Sequence, residues 1–361
     1  MSDANELISF IASMSGEGNL RVEENLGEGY VRLRVSEAER RQAKHDIQHV
    51  EDIVIEMLRN ARDAGADKVY LATTKEDGVR TLVFLDNGSG VPQDMQERIF
   101  DARVTSKLES MKMDRWGVHG RGMALFSIKQ NTDEACVVAS DVDLGSVFKV
   151  SVATDRLGER ADQSSWPQAV KDEDGHYVCA RGPHNIIRAA CEFALEELRA
   201  CDVYLGSPSE IAATLHAQAS SRLDASRLLF IDDEAELPVV DRLGLASDAE
   251  DFIRICSALG LEMSERTAHR ILAGQIKPVR GVTARLLRER DSSSHASAPV
   301  DLAKDRRGLR IAKDDMAQFS RAVERDFNDL ASRYYLNLCG DPKILVSRDR
   351  ITVTFDLAKE E

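Results

Sequence analysis

Apolar and polar positions follow clear periods up to about Asp155 and weaker ones after it. The strongest signal lies in HVEDIVIEMLRNARDAGA. There Val50, Ile53, Val54, Met57, Leu58 and Ala61 recur at helical spacing and define a buried stripe. Glu56, Asn60 and Asp63 stand at i, i+4 and i+7 on a different face of that helix, and Gly65 ends it. Upstream, GYVRLRV (Gly29 to Val35) alternates and predicts a strand. Ser36 with Glu39 forms a capping box that starts another helix. Residues 1–28 read as a short helix followed by a Gly- and Glu-rich loop.

Downstream, KVYLATT and TLVFL predict two strands around the turn KEDG. DNGSGVP (Asp86 to Pro92) reads as a loop and QDMQERIF as a short helix, while DARVTSKLESMKMD has no dominant period. RWGVHGRGMALFSI packs Gly117, Gly120 and Gly122 ahead of an apolar helix. EACVVAS and SVFKVSVA predict two more strands. Beyond Asp155, NIIRAACEFALEELRACDVYL carries a helical stripe. DAEDFIRICSALGLEMSERTAHRILAG predicts two helices with a turn at Gly260. DSSSHASAP has the composition of a linker. A long helix, KDDMAQFSRAVERDFNDLASRYYLNL, and two short strands, KILVS and ITVTFDL, follow it.

Composition narrows the class. A chain of 361 residues, 43% hydrophobic and 30% charged, suits a globular protein of two or three domains. No apolar run approaches the ~18 residues of a membrane span. MSDANELISF lacks the basic start and apolar core of a signal peptide, so a cytoplasmic protein with no membrane partner is expected. The 6 cysteines form no C-x-x-C pair and are expected to be buried free thiols. A net charge of -14 argues against a chain that coats nucleic acid alone. Between Ile276 and Lys313, however, basic residues outnumber acidic ones (Lys277, Arg280, Arg285, Arg288 and Arg290 lead the run). That run suits either a phosphate backbone or a solvated surface.

The chemistry concentrates in three segments. The G-K-[ST] of a P-loop is absent, so the glycines need another reading. An Asn oxygen one turn from a carboxylate suits a Mg²⁺ ion that keeps several waters and also binds phosphates. Glu56 is placed to take a proton from an attacking water. Asp86 in DNGSG offers a carboxylate to an adenine amino group, beside glycines that let backbone approach a flat ligand. Gly117, Gly120 and Gly122 expose backbone N–H groups before a helix N-terminus, which favours phosphate oxygens. Each segment alone is common as surface decoration or as a plain turn. Their order, spacing and context together are specific.

That combination resembles the GHKL ATPase superfamily, which includes gyrase, the MutL mismatch-repair proteins, the ninety-kilodalton heat-shock chaperone and sensor histidine kinases. The resemblance covers about residues 30–155. EMLRNARDAGA is similar to the N-box, DNGSGVP to the first glycine box and GVHGRGMALFSI to the second. TSK (Thr105 to Lys107) resembles a lid segment of the MutL and topoisomerase branches, and GSVF places Ser146 where the family has threonine. The resemblance implies ATP and Mg²⁺ as cofactors, Glu56 as general base and Asn60 as Mg²⁺ ligand. It implies Asp86 as adenine reader, with Gly88 and Gly90 shaping its pocket and Ser146 beside it. Asp63, Lys107, Gly117, Gly120, Arg121 and Gly122 complete the nucleotide-binding set, Lys107 as a lid residue. His45 lies before the N-box and is read as a surface residue rather than a phospho-acceptor.

Downstream layout resembles the B subunit of type IIB topoisomerases, topoisomerase VI B and the shorter Mini-B proteins. The implied fold is α+β: a GHKL (Bergerat) two-layer α/β sandwich, then a small helical region of helix-turn-helix or helix–two-turns–helix type, then a C-terminal helix plus two strands. The expected organisation is a 1–28 arm exchanged between protomers and a 29–235 ATPase domain with core motifs in 48–155. A 240–290 helical domain, a 291–300 linker and a 301–361 reduced transducer-like segment follow. Lys277 and Lys343 are candidate phosphate sensors, and Tyr334 and Tyr335 are read as packing residues. The expected partners are a second copy of the chain on ATP binding, a tyrosine-bearing A-type topoisomerase subunit, and DNA through that complex. The alternative is a MutL-like or chaperone-like clamp in a signalling or defence system, with a histidine-kinase-type activity as a third option.

Overall fold

The computed structural model describes residues 22–106, 112–119, 122–198, 200–223 and 233–287, with short segments between 316 and 359. They fall into two compact units, Met1–Asp291 and Ser292–Glu361.

In the first unit β1 (Val22–Gly27) and β2 (Tyr30–Leu33) form an antiparallel pair. This corrects the expected loop over the end of the arm. Gly27 and Gly29, at φ 86° and 77°, supply the left-handed turn that folds β1 back on β2. Residues 1–21 of the arm lie outside the described residues. In α1 (Glu37–Asp46) the Ser36 hydroxyl accepts from the Glu39 amide at 3.3 Å, and the Glu39 carboxylate accepts from the Ser36 amide at 2.8 Å. In α2 (Val50–Asp63) the Asp52 carboxylate caps the amides of Gln48 and His49 at 2.8 and 2.9 Å.

Strands β3 (Lys68–Glu76) and β4 (Val79–Asp86) run into a two-residue turn, with Asp77 and Gly78 at φ 48° and 80°. The helix expected over QDMQERIF is two 3₁₀ turns, Gln93–Met95 and Arg98–Phe100. Next come β5 (Val104–Thr105), which adds to β2, and the hairpin of β6 (Lys112–Asp114) and β7 (Gly117–His119). They lead to α3 (Ala124–Asn131), β8 (Glu134–Ser140) and β9 (Ser146–Ala153). A hairpin of β10 (Gln168–Lys171) and β11 (Tyr177–Arg181) precedes α4 (Ile186–Glu196) and β12 (Asp202–Gly206). Then follow α5 (Pro208–Arg222), α6 (Ala249–Ala258) and α7 (Glu265–Leu272). Gly260 turns between α6 and α7 at φ 69°, and Ser264 caps α7.

The central sheet has the order β12-β3-β4-β9-β8, antiparallel except for β12 beside β3. Side chains alternate between its faces. Val69, Leu71, Leu82, Phe84 and Val150 join α2 and α4 in one core. Tyr70, Ala72, Val83, Leu85 and Val147 join α5, α6 and α7 in another. The expected two-layer sandwich is therefore corrected to three layers. Residues 249–272, expected in a helical domain of their own, cover the second face of the sheet. Burying each large side chain in these cores contributes about 1.5–3 kcal/mol. Of the free thiols only Cys191, Cys201 and Cys256 are buried, Cys201 and Cys256 each pushed up to about 12, mainly by burial. Cys136 and Cys179 are half-buried and Cys339 is exposed, which corrects the expectation for those three. Among the described residues no helix is long and apolar enough to cross a membrane.

In the second unit β13 (Leu336–Leu338) pairs with β16 (Leu357–Lys359), and β14 (Lys343–Val346) pairs with β15 (Ile351–Thr354). Two expectations change here. LNL is a strand rather than the end of a helix, and ITVTFDL divides at Phe355–Asp356 into two strands. Phe355 stacks on Phe327 at 4.1 Å between ring centroids. The expected linker at 291–300 lies outside the described residues.

Candidate active site

On the α2 side of the sheet a cavity of about 560 Å³ opens. Glu56, Asn60 and Asp63 line it from α2, Asp86 and Gly90 from the loop after β4, Gly122 from the approach to α3, and Ser146 from β9. The helical face that carries Glu56, Asn60 and Asp63 thus meets the two glycine segments.

The Asp86–Val91 loop is fixed from both sides. The Ser89 amide donates to the Ala64 carbonyl at the end of α2, at 2.9 Å. A Cβ on Gly88 would stand 2.8 Å from that same oxygen, so the loop reaches the helix end only with glycine there. The Gly88 amide donates to Asp86 Oδ1 at 2.8 Å. Gly90 has φ +72°, and a Cβ on it would fall 1.8 Å from the Asp141 carbonyl oxygen in the β8–β9 turn. The Val91 amide donates to Ser140 Oγ at 2.7 Å, and that hydroxyl donates to the Gly145 carbonyl at 2.8 Å. Asp86 and Ser146 are register partners across β4 and β9, and each is 3% exposed. One end of the cavity therefore presents a buried carboxylate beside a hydroxyl, against close-packed backbone.

The other end is built by Gly122 and α3. Gly122 has φ +66°, its carbonyl accepts from the Arg103 amide at 2.8 Å, and a Cβ on it would meet the Val104 carbonyl at 2.7 Å. Met123, Ala124 and Leu125 then line the cavity as α3 begins. The first-turn amides of a helix have no intrahelical acceptor, so this end favours oxyanions.

An ion-pair network runs along α2 at the wall of the cavity. Arg59, 2% exposed, donates to Glu56 Oε1 at 2.6 Å and to Asp114 Oδ2 at 2.9 Å. Arg62 donates to Asp63 at 3.0 Å, Asp114 at 3.2 Å and Glu197 at 3.0 Å. Burial opposes the charge of Arg62, but hydrogen bonds to Glu197 and Asp63 outweigh it and raise its pKa. Asp114 belongs to the β6–β7 hairpin, so that hairpin is pinned to the helix bearing Glu56. Trp116 of the hairpin stacks on Phe193 of α4 at 6.3 Å, and Arg115 stands 3.4 Å from Glu192.

Of the residues singled out in the sequence, Glu56, Asn60, Asp63, Asp86, Gly90, Gly122 and Ser146 converge on the cavity, and Gly88 packs behind it against Ala64. Gly117 opens β7 opposite Asp114. Lys107, Gly120 and Arg121 lie outside the described residues. Lys277 is exposed on a loop tied to α5 by the Val279 amide and Thr214 Oγ1 at 2.9 Å, on the opposite side of the sheet. Lys343, in the second unit, pairs with Asp356 at 2.7 Å. Sequence reasoning missed Arg59, Arg103, Asp114 and Trp116. Arg59 was findable, since its position three residues after Glu56 puts the two within reach on one helix.

Residues 47–143 match the family model described as Histidine kinase-, DNA gyrase B-, and HSP90-like ATPase. The chain therefore carries a GHKL-type ATPase domain on a mixed α and β fold. It is also similar to the DNA mismatch repair protein MutL of Pediococcus pentosaceus, 30% identical over 115 residues. That match spans 31% of this chain and 17% of that protein.

Proposed function

We propose that the chain binds and hydrolyses ATP in this cavity, and that ATP binding brings two copies together to gate a DNA-processing partner. The observation that carries the reading is the convergence of Glu56, Asn60, Asp86, Gly90, Gly122 and Ser146 on one cavity from four separate segments. Asp86 accepts from the adenine amino group, with Ser146 beside it. The Gly122–α3 end receives the phosphates. Glu56 takes the proton of a water that attacks the terminal phosphorus as the bond to the ADP oxygen breaks. Arg59 holds one Glu56 oxygen, which fixes where the carboxylate points.

Among the described residues no cluster of three His, Cys, Asp or Glu could hold a metal ion alone. Asn60, which lines the cavity, would hold a Mg²⁺ ion through its amide oxygen together with the nucleotide's own phosphates, and the ion would supply charge neutralisation there.

In its finer form the reading is a type IIB topoisomerase-like, Mini-B-like ATPase subunit working with a tyrosine-bearing A-type subunit. The layout downstream of the ATPase motifs supports it, with ALGLEMSERTAHRIL similar in position and pattern to the insert of the topoisomerase B subunit and a basic run from Ile276 onward. A MutL-like clamp is the second reading, supported by the match to the Pediococcus pentosaceus protein. Sedimentation with a non-hydrolysable ATP analogue, with and without DNA and an A-type subunit, separates them. A ternary complex supports the topoisomerase-like reading. An ATP-dependent dimer indifferent to the A-type subunit favours the clamp, and a chain that stays monomeric with ATP defeats both.

A further inference from the structure

Among the described residues four non-glycine positions have positive φ: Glu28, Asp77, Arg103 and Asp143. Three are exposed turn residues, whereas Arg103, at φ 63°, is 7% exposed. A side chain in the left-handed region is unfavourable unless its surroundings demand it. Here both backbone groups are committed. The Arg103 amide donates to Gly122 at 2.8 Å, and its carbonyl accepts from the Leu33 amide at 2.9 Å. Gly122 has no Cβ because one would strike the backbone of Arg103 and Val104. The segment thus lies flush against the approach to α3, at the end of the cavity away from Asp86 and Ser146.

Arg103 lines that cavity. Nη2 donates to the Glu39 carboxylate of α1, while Nε is buried with no hydrogen-bond partner. Glu39 is held in turn by its capping box. Burial opposes its ionisation, but the Ser36 amide and Arg103 outweigh it and keep the carboxyl below its ordinary value. A guanidinium N–H buried without an acceptor is costly, and the planar fork matches phosphate oxygens.

We propose that Arg103 is a contact for the terminal phosphate of a nucleoside triphosphate, oriented by Glu39, so that the site distinguishes ATP from ADP through this side chain. The inference rests on the cavity being a nucleotide site. Arg103→Asn is the primary variant, because Asn tolerates positive φ while removing the guanidinium. Arg103→Lys keeps the charge without the fork, and Glu39→Gln removes the orienting charge.

Calorimetric titration with ADP and with a non-hydrolysable ATP analogue reads the result. Arg103→Asn is expected to weaken the analogue by roughly 10- to 100-fold and ADP by less than about 3-fold. Arg103→Lys and Glu39→Gln should each give a smaller loss of the same selectivity, and either one tests the idea if Arg103→Asn does not fold. Equal loss for both ligands, or no loss for either, overturns the proposal. Wild-type protein that binds neither nucleotide, or Asp86→Asn protein that binds both normally, instead defeats the nucleotide-site reading beneath it.

Discussion

Gly65→Ala and Gly90→Ala form a matched pair. Both glycines are left-handed, at φ +76° and +72°. A Cβ on Gly65 meets nothing within 4 Å, whereas one on Gly90 falls 1.8 Å from the Asp141 carbonyl oxygen. The conformational penalty of roughly 1–2 kcal/mol is common to both. Only Gly90→Ala must also push the β8–β9 turn away by more than an ångström, since ordinary contact begins near 3.4 Å. Such overpacking costs about 1–3 kcal/mol. The shift also strains the Asp143 amide to Ser89 carbonyl bond, 2.8 Å long, and such a bond contributes about 1 kcal/mol. Gly65→Ala should therefore lose about 1–2 kcal/mol, or a few degrees in Tm, with ADP affinity unchanged. Gly90→Ala should lose about 3–6 kcal/mol, and because the same shift disturbs Asp86 and Ser146, ADP should bind more than about tenfold weaker. Urea unfolding and ADP titration of the two variants measure both quantities. If Gly90→Ala proves as mild as Gly65→Ala in both, the close backbone approach is not what builds this end of the cavity.

Three further outcomes follow from the geometry. Glu56→Ala should abolish phosphate release while ADP still binds, and turnover at the wild-type rate would remove Glu56 from the base role. Asp114→Ala leaves Arg59 and Arg62 short of a shared carboxylate, which should cost about 3 kcal/mol and undock the β6–β7 hairpin. With Trp166→Phe as background, a Trp116 emission maximum that does not move to the red would contradict that docking. Asp162 is pulled down to about 2 from 3.8 by hydrogen bonds from Ser165 and Ser164. A depressed carboxylate stabilises the fold above its unfolded pKa and loses that contribution as pH falls through the folded value. Asp162→Asn should therefore flatten the decline in Tm between about pH 4 and pH 2, and parallel acid profiles for the two proteins would contradict the assignment.

The parts of the fold that could be read from the sequence are those built by local periods. The apolar stripe of Val50 to Ala61 specifies α2 and its buried face, and with it the direction of Glu56, Asn60 and Asp63. The third layer is also encoded in the sequence. VYLA and LVFL are unbroken apolar runs, as expected for strands buried on both faces, and so require helices on each side of the sheet. The capping signal Ser207-Pro208-Ser209-Glu210 likewise announced α5. What stayed hidden depends on long-range pairing. Arg59 meets Asp114 across 55 positions, Arg103 meets Glu39 across 64, and Arg62 meets Glu197 across 135. With 48 basic and 62 acidic residues, opposite charges can be paired in very many ways, and no period selects among them. The sign of φ at Arg103 is equally invisible, since it follows from where Gly122 and Leu33 place their hydrogen bonds. The glycines lie between these cases. Their positions mark a loop, but only the oxygens of Ala64, Asp141 and Val104 show why Gly88, Gly90 and Gly122 can carry no side chain. A motif read from sequence thus locates the cavity through its glycines, while the charges around it have partners that only the fold brings near.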